Sequence, residues 1–216
     1  MKRKLIIVAI GILVAAISFS SCKKSDNEVV DHTADIKNKT WTGEFNYPNQ
    51  KAQPVSIAFG DAGTLIWYEF KGEITGSWKL ENGLLTISLI GSVSFTANIS
   101  NSNTLTNIKS TDASSRQLVN AELAGTGDAV LDNTKWEAPN VSVAFKPGNK
   151  LDLYFGPTTI MPTYTNIIYT RKGRAIYFSV APKYDWFLVM STNTVMKGLN
   201  MAPSDPTLYT FFVTKL

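Results

Sequence analysis

The sequence predicts an all-β protein made of two tandem antiparallel β domains. Apolar and polar residues alternate with a period of two over much of the chain, a pattern typical of strands with one buried face. Motifs in the first half recur in the same order in the second half, which indicates an internal duplication. No stretch has the apolar pattern of a convincing amphipathic helix.

The duplication is carried by several matched segments. Residues 38–41 (NKTW) recur as 133–136 (NTKW), and residues 55–65 recur as 141–151, so the offset stays between 86 and 95 residues. Two units of this length are too few and too long for a solenoid. We therefore expect domains at 36–126 and 129–216, joined at residues 125–128.

Each domain is predicted to be a meander of short strands. Turns at Ala62-Gly63, Asn82-Gly83, Pro147-Gly148 and Lys172-Gly173 separate alternating runs, as expected for antiparallel hairpins. Residues 116–124 align with the closing segment 207–215, and we predict that both are strands. Residues 156–162 are predicted to form a loop. The alternating apolar positions are Val55, Ile57, Phe59, Leu85, Ile87, Leu89, Phe95, Ala97 and Ile99, then Val141, Val143, Phe145, Ile176, Phe178, Val180, Tyr209, Phe211 and Val213.

The N-terminus has the order of a secretory signal. A basic segment, residues 2–4, precedes an apolar run at residues 5–17, which is shorter than the roughly 20 residues that a membrane-spanning helix needs. Small residues then lead to Cys22, the only cysteine of the chain. Residues 18–22 resemble a bacterial lipobox, in which Ser21 fits and Phe19 departs from the aliphatic pattern.

This resemblance implies that residues 1–21 are removed and that Cys22 is acylated, for example with palmitate. The alternatives are an ordinary signal peptide and an uncleaved anchor. Residues 22–35 are polar and are expected to form a flexible tether, with the solvated His32 near its end. Lys23 follows the cysteine, which favours the outer membrane of a Gram-negative cell envelope. The side of that membrane on which the protein lies is left open.

Charge and composition exclude several functions. Removal of residues 1–21 lowers the formal net charge from +4 to +1, which leaves no basic surface typical of nucleic-acid binding. His32 is the only histidine, so a histidine-based metal site or catalytic triad is excluded. No cofactor motif is present, and we expect a protein that is not an enzyme. Two carboxylate pairs, Glu69 with Glu73 and Asp152 with Asp185, are the remaining catalytic candidates; exposed structural residues are the alternative.

The pattern of tryptophan, glycine turns and short strands resembles the small lipocalin-like domains of bacterial lipoproteins. The resemblance covers nearly all of residues 36–216, and it implies a β-barrel of about eight strands per domain without catalytic residues. Residues 156–162 depart from it. The residues that carry the resemblance are Trp41, Phe59, Gly63, Trp78, Gly83, Leu84 and Leu105 in the first domain and Trp136, Phe145, Gly148, Gly173 and Met196 in the second.

Two aromatic clusters are the candidate binding residues. They are Trp67, Tyr68 and Phe70 in the first domain and Tyr184, Trp186 and Phe187 in the second. Each cluster places aromatic rings on both faces of a strand. One face is then exposed for a glycan or a partner, or both faces are buried, one inside a barrel and one between the domains. Met161, Met190, Met196 and Met201 either line an apolar opening or fill the core.

Two functions follow as hypotheses. The first is a lipid-anchored envelope protein that binds a glycan, a lipid or a peptide. Because a small barrel is mostly filled by its own side chains, its ligand would bind at a loop end or between the domains. The second is a structural or inhibitory lipoprotein that contacts other proteins and has no small ligand.

Overall fold

The computed structural model describes residues 31–91, 93–111, 116–125, 130–181, 184–202 and 205–216, with the backbone alone for residues 202 and 205–207. Cys22 and residues 1–21, which are predicted to form a signal peptide, lie outside this part. Residues 31–216 form one compact unit that contains two antiparallel eight-stranded sheets in tandem. The predicted all-β class and the tandem arrangement of two barrels are confirmed. No helix in the described part is long and apolar enough to cross a bilayer.

The first sheet follows a short helix, α1 (Thr33–Ile36), and we call this sheet the first barrel. Its strand order is β7-β6-β5-β4-β3-β2-β1-β8, so β8 returns to pair with β1. Contacts such as the hydrogen bond from Leu123 N to Asn103 O, at 2.9 Å, bring β8 towards β7. The strands are β1 (Thr40–Asn46), β2 (Gln53–Phe59), β3 (Thr64–Glu69), β4 (Gly72–Glu81), β5 (Leu84–Leu89), β6 (Val93–Ile99), β7 (Leu105–Ser110) and β8 (Gln117–Leu123).

The second sheet, which we call the second barrel, is closed. Each strand pairs with the next, and β16 pairs with β9. The predicted loop at residues 156–162 lies between β11 and β12. The strands are β9 (Lys135–Glu137), β10 (Ser142–Lys146), β11 (Lys150–Tyr154), β12 (Tyr164–Lys172), β13 (Ala175–Val180), β14 (Tyr184–Met190), β15 (Val195–Ala202) and β16 (Asp205–Lys215).

The repeated Asn-x-x-Trp motif starts each barrel in the same way. Asn38 and Asn133 have positive φ values of 58° and 61°, a conformation that asparagine tolerates better than most residues. The tryptophan three residues later is fully buried in both barrels. The next residue after each asparagine accepts a backbone hydrogen bond from the equivalent phenylalanine, Phe59 N or Phe145 N, at 2.9 and 2.8 Å. The repeated sequence motif therefore folds into the same local structure at the start of each barrel.

The predicted turns also form as expected. Asn82 and Gly83 both have positive φ and join β4 to β5 in two residues, which is the pattern of a type I′ hairpin. In the second barrel Gly173 has positive φ in the equivalent turn, between β12 and β13. Gly148 has positive φ in the turn between β10 and β11. The aligned segment 116–124 contains strand β8, as predicted.

The expectation that His32 is solvated is wrong. Its side chain is buried, with Nδ1 2.9 Å from Asp35 Oδ2. The cause is α1, which packs against one end of the first barrel: Ile36 is fully buried, and the Trp41 indole donates to Asp35 O at 3.0 Å. The folded part of the chain thus begins before the predicted domain boundary at residue 36.

Candidate functional site

The interiors of both barrels are packed with side chains. In the first barrel Trp67 stacks on Phe95 with ring centroids 5.5 Å apart, and Phe45 meets Trp67 edge to face at 5.4 Å. In the second barrel Trp186 stacks on Phe178 at 5.6 Å. Interiors filled in this way leave the outer surfaces and the space between the barrels as places for a ligand.

A separate apolar cluster joins the outer faces of the two barrels. Tyr68 of β3 packs with Phe187, Val189 and Leu199 of the second barrel, and these side chains are buried. Because neighbours along a strand point to opposite faces, Trp67 lies inside its barrel while Tyr68 points out of it. The same holds for Trp186 and Phe187. Burial of both faces explains the nearly continuous apolar sequence of β14.

Polar contacts surround this apolar cluster. Glu44 and Glu73 of the first barrel form ion pairs with Lys197 and Lys172 of the second, at 3.1 and 2.7 Å. The Tyr177 hydroxyl donates to Glu69 O at 3.1 Å. An apolar centre with a charged rim is the usual composition of a specific protein interface.

Two cavities lie on either side of one turn, Phe70-Lys71, which joins β3 to β4 beside the second barrel. The first cavity has a volume of about 420 Å³ and the second about 660 Å³. Both volumes are within the range of small-molecule sites. We call the two cavities and their shared turn the inter-barrel cleft. The first cavity is lined by Gln50, Lys51, Gln53, Phe70, Lys71, Met201 and Leu208.

The second cavity lies where the wall of the second barrel divides. The β12–β13 ladder joins four residue pairs and ends at Tyr169↔Phe178. Beyond that pair, β12 continues beside β11, and β13 continues beside β14. Two rings from the barrel interior, Phe178 and Trp186, therefore line the cavity here, although both stay buried. The second cavity is lined by Phe70, Lys71, Ile168, Thr170, Tyr177, Phe178, Ser179, Asp185 and Trp186.

Trp186 carries a buried hydrogen-bond donor without an acceptor. Its side chain is 3% exposed, and no acceptor in the described part of the chain pairs with its Nε1. The other four tryptophans each donate from Nε1 to an oxygen atom, at 2.9–3.1 Å. A buried unpaired donor is uncommon and destabilises a fold by about 1–3 kcal/mol. Trp186 is thus the exception among the indoles, and it lines the second cavity.

A buried ionic network lies behind the Phe70-Lys71 turn. Glu69 Oε2 and Oε1 accept from Arg116 Nε and Nη2 at 2.8 and 3.0 Å, and Glu69 also accepts from Trp67 Nε1 and the Tyr47 hydroxyl. The hydrogen bond to Glu69 raises the pKa of the Arg116 guanidinium. Burial, and then the charge of Glu69, raise the pKa of Tyr47 to about 12. This network fixes the end of β3 from which the turn projects.

The cleft and α1 lie at opposite ends of the first barrel. Strand β1 ends, β2 begins and β3 ends beside the cleft. Lys37, which follows α1, is paired with Asp61 in the turn after β2 at 3.0 Å. A strand of seven residues spans about 20 Å, which separates the two ends.

The six predicted binding residues occupy four environments. Trp67 and Trp186 are inside the barrels, although Trp186 also reaches the second cavity. Tyr68 and Phe187 are buried between the barrels. Phe70 lines both cavities, and Tyr184 is half-buried against the core of the second barrel. Of the two alternatives for these aromatic clusters, burial of both strand faces therefore applies to most of the residues.

Neither carboxylate pair faces a common cleft. Glu69 is inside the first barrel, whereas Glu73 pairs with Tyr68 in the sheet and points outward to Lys172. Asp152 on β11 is bound by Lys146 Nζ at 2.6 Å, and Asp185 on β14 accepts from Ser179 at 2.5 Å. Two strands, β12 and β13, separate Asp152 from Asp185. Among the described residues, no group of three or more His, Cys, Asp or Glu side chains is placed to hold a metal ion.

Several cleft residues carry no sequence signal. Lys71, Tyr177 and Leu208 are ordinary strand and turn residues in the sequence, and only the packing of one barrel on the other brings them together. Met201 lines the first cavity, Met190 and Met196 fill the core, and Met161 is exposed.

The comparisons with known proteins found no relative of this chain. No family model matches the chain, and neither a curated protein nor a solved structure matches it.

Proposed function

We propose that the protein is a non-enzymatic, lipid-anchored lipoprotein of the cell envelope that binds a small ligand in the inter-barrel cleft. The observation that carries the proposal is the contrast between two filled barrel interiors and two adjoining cavities at one turn. Small-molecule pockets are concave and combine apolar surface with a few polar groups. The lining of the first cavity is mainly apolar and that of the second is mainly polar. The first cavity offers Phe70, Met201 and Leu208 with four amine or amide side chains around them.

The described chain enters the first barrel through α1, at the end opposite the cleft. The entry of the chain therefore does not occupy the cleft. If Cys22 is acylated, the lipid is attached ten residues before His32 in the sequence. The outer membrane remains the address that we propose, on the basis of Lys23.

A thermal-shift screen of the purified full chain against glycans, lipids and peptides tests the binding function. A ligand at 100 times its Kd should stabilise the protein by about 2.7 kcal/mol. Leu208→Trp and Ser179→Trp should fill the first and second cavities, respectively, and at least one should abolish the shift. Ser102→Trp, on an exposed loop of the first barrel, is the matched control. Ligands whose shift survives both cavity substitutions would contradict a cleft site.

The anchor has its own test. Cys22→Ala should abolish incorporation of labelled palmitate and release the protein from the membrane fraction. Unchanged labelling and partitioning would show that Cys22 is not the anchor, whatever the cleft binds.

A protein-interaction function is the alternative. The loop from Phe155 to Thr163 contains no charged residue, and Phe155, Ile160 and Met161 are exposed to 53%, 48% and 87%. An exposed apolar group of this kind favours contact with a partner protein. Retention of a cross-linked partner by the native chain, and its loss in an Ile160→Ser/Met161→Ser variant, would support this alternative.

A further inference from the structure

We propose that the second cavity binds the ring of a neutral sugar and that the Trp186 indole N–H donates a hydrogen bond to one of its oxygen atoms. The inference rests on the proposed cleft function and names the class of ligand. The free sugar and the sugar headgroup of a glycolipid share this chemistry.

The unpaired indole N–H is a donor for which a ligand could supply the acceptor, because Trp186 lines the second cavity. Its Nε1 atom is itself buried, so pairing with a ligand requires a small movement of the side chains around it. Four of the five tryptophans satisfy their Nε1 within the protein, so the fold is able to pair this group. Trp186 is held in place by Phe155 and Phe178, whose ring centroids lie 6.3 and 5.6 Å from its own. A fixed, desolvated donor loses little entropy when an acceptor arrives.

The polar groups of the cavity suit hydroxyl groups. Asp185 accepts from the Ser179 hydroxyl and keeps further acceptor capacity, because a carboxylate has about four lone-pair sites. Thr170 adds a hydroxyl that both donates and accepts. A sugar hydroxyl also both donates and accepts, so each of these groups has a complementary partner on a sugar ring.

The charge and the apolar surface of the cavity favour a neutral ring. Its lining carries one cationic and one anionic side chain, Lys71 and Asp185. Phe70 and Tyr177 are half-buried and present aromatic surface to the cavity. Sugar rings have apolar faces and hydroxylated edges, which match aromatic side chains next to hydroxyl and carboxylate groups.

The test uses the full chain purified in a zwitterionic detergent that carries no sugar. It is titrated with neutral oligosaccharides built from glucose, mannose, galactose, xylose or N-acetylglucosamine, and binding is measured by calorimetry. We expect at least one to bind and to shift the Trp186 indole N–H resonance more than the other four. Trp186→Phe should weaken binding about tenfold, whereas Trp78→Phe, whose indole lies at the far end of the first barrel, should not.

A second variant covers the case in which Trp186→Phe does not fold. Asp185 is exposed, so Asp185→Ala should fold and weaken binding, and Glu81→Ala is its control. An alkyl glycoside is tested in the same way to distinguish a glycolipid from a free sugar. If it binds more tightly than the free sugar, and Leu208→Trp in the first cavity removes this extra affinity, the natural ligand is a glycolipid.

Two results would overturn the inference. In one, no oligosaccharide binds. In the other, a sugar binds while the Trp186 resonance and the affinities of the Trp186→Phe and Asp185→Ala variants are unchanged. If palmitate or a peptide binds instead and Leu208→Trp abolishes that binding, the sugar class is wrong and the cleft function stands.

Discussion

The Tyr177 hydroxyl of the second barrel donates a hydrogen bond to the backbone carbonyl of Glu69 in the first barrel, at 3.1 Å. The same hydroxyl lies 3.5 Å from Gly72 O. The two carbonyls flank the Phe70-Lys71 turn, so one side chain spans the base of the turn that divides the cleft. Burial raises the pKa of Tyr177, which keeps this donor protonated throughout the physiological range.

Tyr177→Phe should remove this hydrogen bond and leave the ring in place. We expect a loss of about 1 kcal/mol in the free energy of unfolding, measured by urea denaturation. Tyr164→Phe, whose ring packs against Phe155, should change stability by less than about 0.5 kcal/mol. Equal effects of the two substitutions would contradict a specific role for the Tyr177 hydroxyl.

Arg116→Ala should destabilise the protein strongly. It leaves Glu69, whose side chain is 2% exposed, without its charged partner, and we expect a loss of about 3 kcal/mol. Lys79→Ala removes the cation of an exposed pair with Glu81 and should have an effect below about 1 kcal/mol. If the two variants unfold at the same urea concentration, the buried network does not stabilise the first barrel.

Tyr47 should make stability fall at alkaline pH. Its pKa is raised to about 12 in the folded chain, against about 10 when unfolded, so the unfolded state loses the proton first. The stabilisation is therefore complete below pH 10 and is lost as the pH rises to about 12. Tyr47→Phe should have a shallower decline between these values in pH-dependent unfolding. An identical decline in both proteins would assign it to other groups.

Phe187→Ala tests the contact between the barrels. Phe187 is fully buried although it points away from the interior of its own barrel, so its truncation should lower stability by about 3–5 kcal/mol. Phe212→Ala, on an exposed ring, should have little effect. We also expect the Phe187→Ala variant to unfold in two calorimetric transitions, because each barrel keeps its own core. A neutral Phe187→Ala substitution would mean that the barrels do not depend on each other.

Much of the fold could be predicted because it is encoded locally. The period-two alternation identifies six strands, β2, β5, β6, β10, β13 and β16. The paired motifs at Asn38 and Asn133 correspond to the same positive-φ start. Turns such as Asn82-Gly83 need residues that tolerate positive φ, which the sequence displays directly. These features depend on neighbours within a few residues.

The cleft could not be predicted because it depends on long-range packing. Glu69 and Arg116 meet across 47 residues, and Glu69 and Tyr177 across 108. The aromatic clusters showed that both strand faces were apolar, but only the structure shows that Phe187 faces the other barrel. Nothing in the sequence distinguishes the Nε1 of Trp186 from that of Trp136, which is paired 2.9 Å from Thr134 Oγ1.

Chemical-shift mapping of a bound ligand tests the cleft most directly. The full chain, labelled with ¹⁵N, is titrated with the best ligand from the thermal-shift screen while its amide and indole resonances are recorded. We expect the largest changes at Phe70 and Lys71, together with Leu208 for the first cavity or Ser179 for the second. Changes confined to the far end of the first barrel, around Asn103, or to the loop at Ile160 and Met161 would contradict a ligand site between the barrels.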